Sequence, residues 1–290
     1  MSDMQTSGNP VVSIIMATYN RASLIGKAIE SVIGQSLLDW ELIIADDGST
    51  DNTAEVLRAW EAREPRIRYL QLPHAGRIAV VSNAALEAAR GKYIAVLDDD
   101  DRWIDPEKLN KQIAFLDEHP DYVACAGGYT IVNGNDERTA DIYKPESDEA
   151  MRKVALLANP VANSTAMFRA SLNARYDVTL QGFADWDFWL KLGRTGRMYN
   201  FQELFLAYKM WSGNGSFVQQ RANASCAVKI VRRYKNDYPG YGKAICFART
   251  YLTYTFLPIS LRRGLNSFLS SLKKRIFVHS ARRVPPVSEI

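Results

Sequence analysis

The 290-residue sequence predicts an α/β fold, a parallel sheet flanked by helices, followed by a basic helical C-terminal region. Two observations point to the sheet and a third to the extension. Short, wholly apolar runs of strand length alternate with segments of helical periodicity through the first hundred residues. Three of those runs end in polar or acidic residues, as strand ends facing a ligand crevice do. Charge is divided along the chain: from Lys229 onward there are 13 basic residues against two acidic ones, a net of +11, whereas the first 228 residues carry −7.

The elements follow in order. Residues 11–16 are apolar on both faces, as a strand buried in a parallel sheet should be. Leu24, Ile25, Ala28, Ile29, Val32 and Ile33 recur at helical spacing and make one apolar face. Residues 42–45 predict a second buried strand, and Ser49, Thr50 and Asp51 offer caps for a helix running toward Trp60. Residues 67–70 read as a third strand, 78–89 as a helix and 93–97 as a fourth strand. This alternation implies right-handed crossovers between parallel strands. Further on, 106–119 predicts a helix striped by Leu109, Ile113 and Leu116. Residues 122–126 and 129–132 read as two strands around a Gly127-Gly128 turn, 148–158 as a helix and 164–168 as a strand. The polar, aromatic stretch 182–189 leads into another helix.

Composition excludes several classes. An apolar fraction of 47% supports a full core and rules out wholesale disorder. No run approaches the ~18 apolar residues that span a bilayer, and residues 1–10 lack the pattern of a signal peptide. Cys125, Cys226 and Cys246 are odd in number and scattered, matching neither a disulfide framework nor a zinc spacing, so they predict reduced thiols in a cytoplasmic protein. The acidic body argues against nucleic acid as a partner. A GxxxxGK[ST] loop, a GxGxxG fingerprint and a Gly-x-Ser-x-Gly elbow are all missing, so ATP hydrolysis, nicotinamide chemistry and serine hydrolysis lose support.

The strand ends carry the chemistry: Ala17-Thr18-Tyr19-Asn20-Arg21, Asp46-Asp47-Gly48-Ser49 and Asp98-Asp99-Asp100-Asp101. Four adjacent aspartates directly after a buried strand repel one another unless a cation neutralises them. Oxygen-only ligands suit Mg2+ or Mn2+, which is typically held by one or two carboxylates while substrate phosphates complete its shell. The three histidines (His74, His119, His279) are too dispersed for zinc. These features favour metal–diphosphate binding over a plain acidic loop.

Residues 12–21 (VSIIMATYNR), 43–51 (IIADDGSTD) and 93–101 (YIAVLDDDD) together resemble the inverting family 2 glycosyltransferases, whose fold is GT-A, a Rossmann-like nucleotide-binding sheet flanked by helices. The resemblance spans about residues 10–215. It implies a catalytic domain over 10–215, with a nucleotide-sugar-binding half (10–107) and an acceptor-binding half (108–215), and a separate helical basic region over 216–290. The implied reaction moves a sugar from a nucleotide diphosphate, commonly UDP, to a glycan or lipid-linked acceptor hydroxyl, as in cell-surface polysaccharide or glycolipid synthesis. Position by position, Ala17, Thr18 and Tyr19 match the segment at the nucleoside, and Asp46 the carboxylate that reads the base. Arg77 resembles an arginine near the nucleotide, while Val81-Ser82-Asn83 departs from the family's Ala-Arg-Asn. Asp98 and Asp100 match the DxD motif, Asp98 toward the ribose and Asp100 on the metal, with Asp99 between them. Ala184-Asp185 resembles the Glu-Asp motif with alanine in place of glutamate, which makes Asp185 the candidate catalytic base and Asp187 its backup. Asn163, Ser164 and the 211–216 loop are candidates for facing the acceptor or closing over the donor.

In the tail, Leu265, Phe268, Leu269, Leu272 and Ile276 fall three and four apart among Arg262, Arg263, Lys273, Lys274 and Arg275. That is the pattern of a basic helix at an anionic membrane surface, with packing on the catalytic domain or on a second copy of the chain as the alternatives. The rival functional readings are a nucleotidyltransferase, which would need a glycine-rich basic loop after the first strand, and a non-catalytic nucleotide-sugar-binding protein, suggested by Ala184.

Overall fold

The computed structural model describes residues 8–210 and 220–257, together with the backbone of the short strand Ala281–Arg282. The predicted amphipathic segment 261–276 and the 211–216 loop lie outside the described residues.

Strands β1 (Val12–Thr18) and β2 (Trp40–Asp46) are buried along almost their whole length. Helices α1 (Ile25–Ile33) and α2 (Thr53–Arg63) connect them in turn to β2 and to β3 (Ile67–Gln71). α1 turns Ile25, Ala28, Ile29 and Val32 into the core, the face its spacing predicts. α3 (Ile78–Ala88) then leads to β4 (Tyr93–Val96). β3, β2, β1 and β4 lie side by side in parallel, as the alternating pattern requires. The capping of α2 differs from expectation. Asp51 accepts from the Thr53 amide at 3.0 Å, but Ser49 and Thr50 turn back toward Asp46 and Asn20.

Beyond β4 the sheet becomes mixed. β5 (Arg102–Trp103) and α4 (Lys108–Glu118) lead to β6 (Tyr122–Val132), one continuous strand in place of the two predicted ones. Gly127 and Gly128 serve close packing within it, not a turn: a Cβ on Gly127 would run into the Phe205 ring, and one on Gly128 would sit 2.7 Å from Tyr143. β7 (Arg138–Ile142) pairs antiparallel with β6 and with β10 (Ala281–Arg282). α5 (Asp148–Val154) is shorter than predicted. A 3-10 turn, Asn163–Thr165, precedes β8 (Met167–Arg169), which inserts antiparallel between β4 and β6. α6 (Ala184–Gly193) is followed by β9 (Arg197–Lys209), which the sequence pattern did not reveal. It runs parallel to β6 through three register shifts that break any simple alternation.

Apolar layers cover both faces of the sheet. A third cluster joins α6 to α7 (Gln220–Arg233) and α8 (Tyr241–Tyr254), so the basic region through residue 257 packs on the body. Among the described residues no helix is long and apolar enough to cross a membrane.

Candidate active site

The sheet brings three strand ends to one edge. Register pairs Thr18 with Asp46 and Ile15 with Val96, so the segments after β1, β2 and β4 emerge together. The antiparallel pairing of Ala95 with Met167 sets the Asn163–Thr165 turn against the aspartate run. A cleft of about 570 Å³ opens there, lined by Ala17, Arg21, Asp98–Asp101, Lys144, Asn159 and Asp185 among others.

Asp98 accepts from Ser164 Oγ at 2.7 Å and from Asn163 Nδ2 at 3.2 Å. Burial, reinforced by the charges of Asp100 and Asp185, raises its pKa to about 6. Asp99 is pushed up to about 7, mainly by burial, although Arg21 Nε lies 3.6 Å away. Burial also raises Asp101, whose Oδ1 accepts from the Lys209 amide at 3.3 Å. The run is therefore electrostatically loaded. Among the described residues no group of three His, Cys, Asp or Glu side chains converges to enclose a metal alone. One or two carboxylates awaiting the phosphate oxygens of a substrate is the arrangement that suits Mg2+, so the donor set fits a divalent ion shared with a diphosphate.

Asp185 lines the same cleft. Phe183 takes a left-handed φ of 52°, uncommon for a bulky side chain, and turns the chain into α6 so that Asp185 falls in its first turn. Asn159 Nδ2 donates to Asp185 Oδ2 at 2.8 Å. Burial raises the carboxyl's pKa, opposed by backbone N–H groups, by Asn159 and by the charge of Lys144. Its proton affinity is thereby lifted in the direction a general base needs.

The other predicted residues make these contacts. Asp187, the backup base, is fully buried and does not line the cleft. Its Oδ1 accepts from Arg233 Nη1 at 2.6 Å and from Tyr234 Oη at 3.1 Å, which ties α6 to α7, because two residues along a helix turns a side chain to a different face. Asp46 is fully buried too. Ser49 donates to its Oδ1 through Oγ at 2.5 Å and N at 3.0 Å, and Tyr69 Oη donates to Oδ2 at 2.9 Å, so these bonds tie the end of β2 to the turn after it and to β3. Thr18 is buried, while Tyr19 is 39% exposed and stacks on His74 at 4.7 Å. Arg77 donates to the Val178 carbonyl at 3.0 Å and does not line the cleft. With Asn83, which brackets Tyr176 by accepting from its amide at 2.8 Å and donating to its carbonyl at 3.0 Å, it positions the segment carrying Tyr176. Tyr176, Lys144 and Asn159 were missed in the sequence. They carry no motif and reach the cleft only through the fold.

Comparison with known proteins agrees with this geometry. The glycosyl transferase family 2 model matches residues 13–176. The Bacillus subtilis (strain 168) protein EpsE, named as a glycosyltransferase, is 33% identical over 81% of this chain and 87% of its own. TuaG of the same organism, named as a teichuronic acid biosynthesis glycosyltransferase, is 34% identical over 71% of this chain and 81% of its own. Among solved structures, S. aureus TarS 1–349 in complex with UDP-GlcNAc superposes with a TM-score of 0.67 at 20% identity, covering 91% of this chain and 82% of that one. The mannosyltransferase PcManGT from Pyrobaculum calidifontis, in complex with GDP-Man and Mn2+, gives 0.62 at 17% identity, covering 92% and 81%. The motif-bearing strand ends, the GT-A sheet that gathers them and these relatives agree: the chain belongs to glycosyl transferase family 2 and is a glycosyltransferase.

Proposed function

We propose that the protein transfers a sugar, with inversion, from a nucleotide-diphosphate donor, in the first instance a UDP-sugar, to an acceptor hydroxyl in cell-surface polysaccharide or glycolipid synthesis. The observation that supports this reading is that one partly enclosed carboxylate, Asp185, lines the same cleft as the aspartate run after β4, close enough for its charge to act on Asp98. Asp100, with Asp98 nearby toward the ribose, would hold a divalent cation, Mn2+ or Mg2+, which when bound supplies positive charge to a leaving diphosphate. Asp185 accepts the proton of the attacking hydroxyl, held in place by Asn159. A nucleophile activated on one face of the sugar and a leaving group held on the other give a single displacement, and hence inversion. Ala17 and the exposed ring of Tyr19, braced by His74, offer an apolar surface for the nucleoside.

The test is a thermal-shift panel of UDP-, GDP- and dTDP-sugars with and without Mn2+, run on the wild type and on Asp185→Asn. A metal-dependent shift with one nucleotide in both proteins is expected, with turnover lost only in the variant. No shift with any donor in the presence of metal would overturn the reading. Membrane-surface contact through the basic tail belongs to the same proposal. Liposome flotation of the full chain should exceed that of a chain ending at Leu257, and equal flotation removes the idea.

A further inference from the structure

Among the described residues the cleft is lined by two cations, Arg21 and Lys144. Arg21 lies beside Asp99, on the side of the aspartate run. Lys144 sits elsewhere, just past the end of β7, on a segment pinned from β9. Gln202 Nε2 donates to the Lys144 carbonyl at 3.1 Å and Asn200 Nδ2 to the Pro145 carbonyl at 2.7 Å. The backbone that carries the amine is therefore fixed, as a binding group requires.

The side chain reaches into the cleft, and Nζ donates to the Asn159 carbonyl at 3.0 Å. The same Asn159, through Nδ2, holds Asp185 Oδ2 at 2.8 Å. Amine and candidate base are thus mounted on one residue. An ammonium has three N–H donors. The Asn159 carbonyl takes one, and among the described residues Nζ forms no ion pair with a carboxylate. Burial disfavours the charged amine, and the carboxylate that offsets this electrostatically is Asp185, not a member of the aspartate run. An apolar side chain would fill the position without that penalty. A cation on a fixed backbone with unused donors, coupled to the base and not to the aspartate run, is a subsite for an anion.

We infer that Lys144 binds an anionic group on the acceptor, so that the acceptor carries a carboxylate or a phosphate near the hydroxyl delivered to Asp185. This rests on the reading of Asp185 as base and of the cleft as the nucleotide-sugar site. Two N–H donors directed at the anion orient the neighbouring hydroxyl toward the carboxylate, and neutral sugars forgo that contact.

The experiment is calorimetric titration of the full-length protein, with Mn2+ and saturating UDP, using three probes: methyl β-D-glucuronide, sn-glycerol 3-phosphate and neutral methyl β-D-glucoside. The wild type is expected to bind at least one anionic probe tenfold or more tightly than the glucoside; which one gains identifies carboxylate or phosphate. Lys144→Met should abolish the difference and Lys144→Arg retain it, with UDP affinity within twofold of wild type in both. Equal binding of all three probes by the wild type, or a preference that survives in Lys144→Met, overturns the inference. A tenfold loss of UDP affinity in Lys144→Met also overturns it and assigns the amine to the donor diphosphate. Failure of the wild type to bind UDP, measured before any acceptor probe is added, counts instead against the nucleotide-sugar reading itself.

Discussion

Lys108 should make the stability of this protein rise with pH through the range where most proteins are flat. The residue is fully buried. Nζ donates to Gln112 Oε1 at 2.7 Å and lies 3.9 Å from the centre of the Trp103 ring. Gln112 in turn donates to the Thr165 carbonyl, and Trp103 to the Ser164 carbonyl, so the amine underlies the turn that holds Asp98. Burial lowers its pKa from 10.5 to about 7. The sign follows from proton counting. Between these values the unfolded chain holds the proton and the folded chain has released it, so unfolding takes up a proton and stability increases with pH. From pH 7 to 8.5 the gain from this one group is roughly 1.5 kcal/mol, at about 1.4 kcal/mol per unit once the folded amine is neutral. Below pH 7 both states are protonated and the buried charge weighs fully on the fold. The assay is urea unfolding of wild type and Lys108→Met at pH 7.0, 7.5, 8.0 and 8.5. The wild type should gain on the variant by roughly 1.5 kcal/mol across the series, whatever the offset between them at pH 7, because other titrating groups are common to both. Parallel stability curves would refute the claim that Lys108 sits in the core as a depressed amine.

Three further outcomes follow from the site and its supports. The acid limb of kcat/KM should titrate above the ordinary carboxylate range, because burial raises Asp185, and activity should grow as pH rises through that value; Asp185→Asn should abolish the limb and lower kcat by about 10²- to 10⁴-fold with donor affinity retained. Asp187→Ala should act on the fold, lowering stability by about 1–3 kcal/mol in chemical unfolding, because it strips a buried acceptor from Tyr234 and one of two carboxylate partners from Arg233. Gly127→Ala should cost about 1–3 kcal/mol by driving a methyl group into the buried Phe205 ring, and an unchanged unfolding midpoint would contradict the packing described for β6.

How much was legible in the sequence varies by region. Residues 10–97 were readable because each element is continuous in sequence and repeats its period: α1 buries the face its spacing predicts, and β1 and β2 are buried on both sides as their composition requires. The second half was less so. β9 interrupts its own alternation to follow the register shifts of β6, and the glycines of β6 resemble a turn until Phe205 and Tyr143 are seen against them. In the site, the aspartates that end strands were found because a charged run after an apolar run is a local signal. Lys144, Asn159 and Tyr176 carry no such signal, and Asp187, two residues from Asp185, looked equivalent to it in one dimension.

The sequence by itself determined the α/β class, the parallel half of the sheet and the family, because hydrophobic period and strand-end chemistry are written residue by residue. Only the tertiary structure decided which carboxylates line the cleft and which are enclosed by other partners. Asp46 and Asp187 are bound by their own neighbours, whereas Asp98 and Asp185 approach across 87 residues of chain. The physical reason is that desolvation and hydrogen-bond partnership are properties of a surrounding volume. That volume is assembled from β4, the Asn163–Thr165 turn and α6, which meet only once the chain has folded.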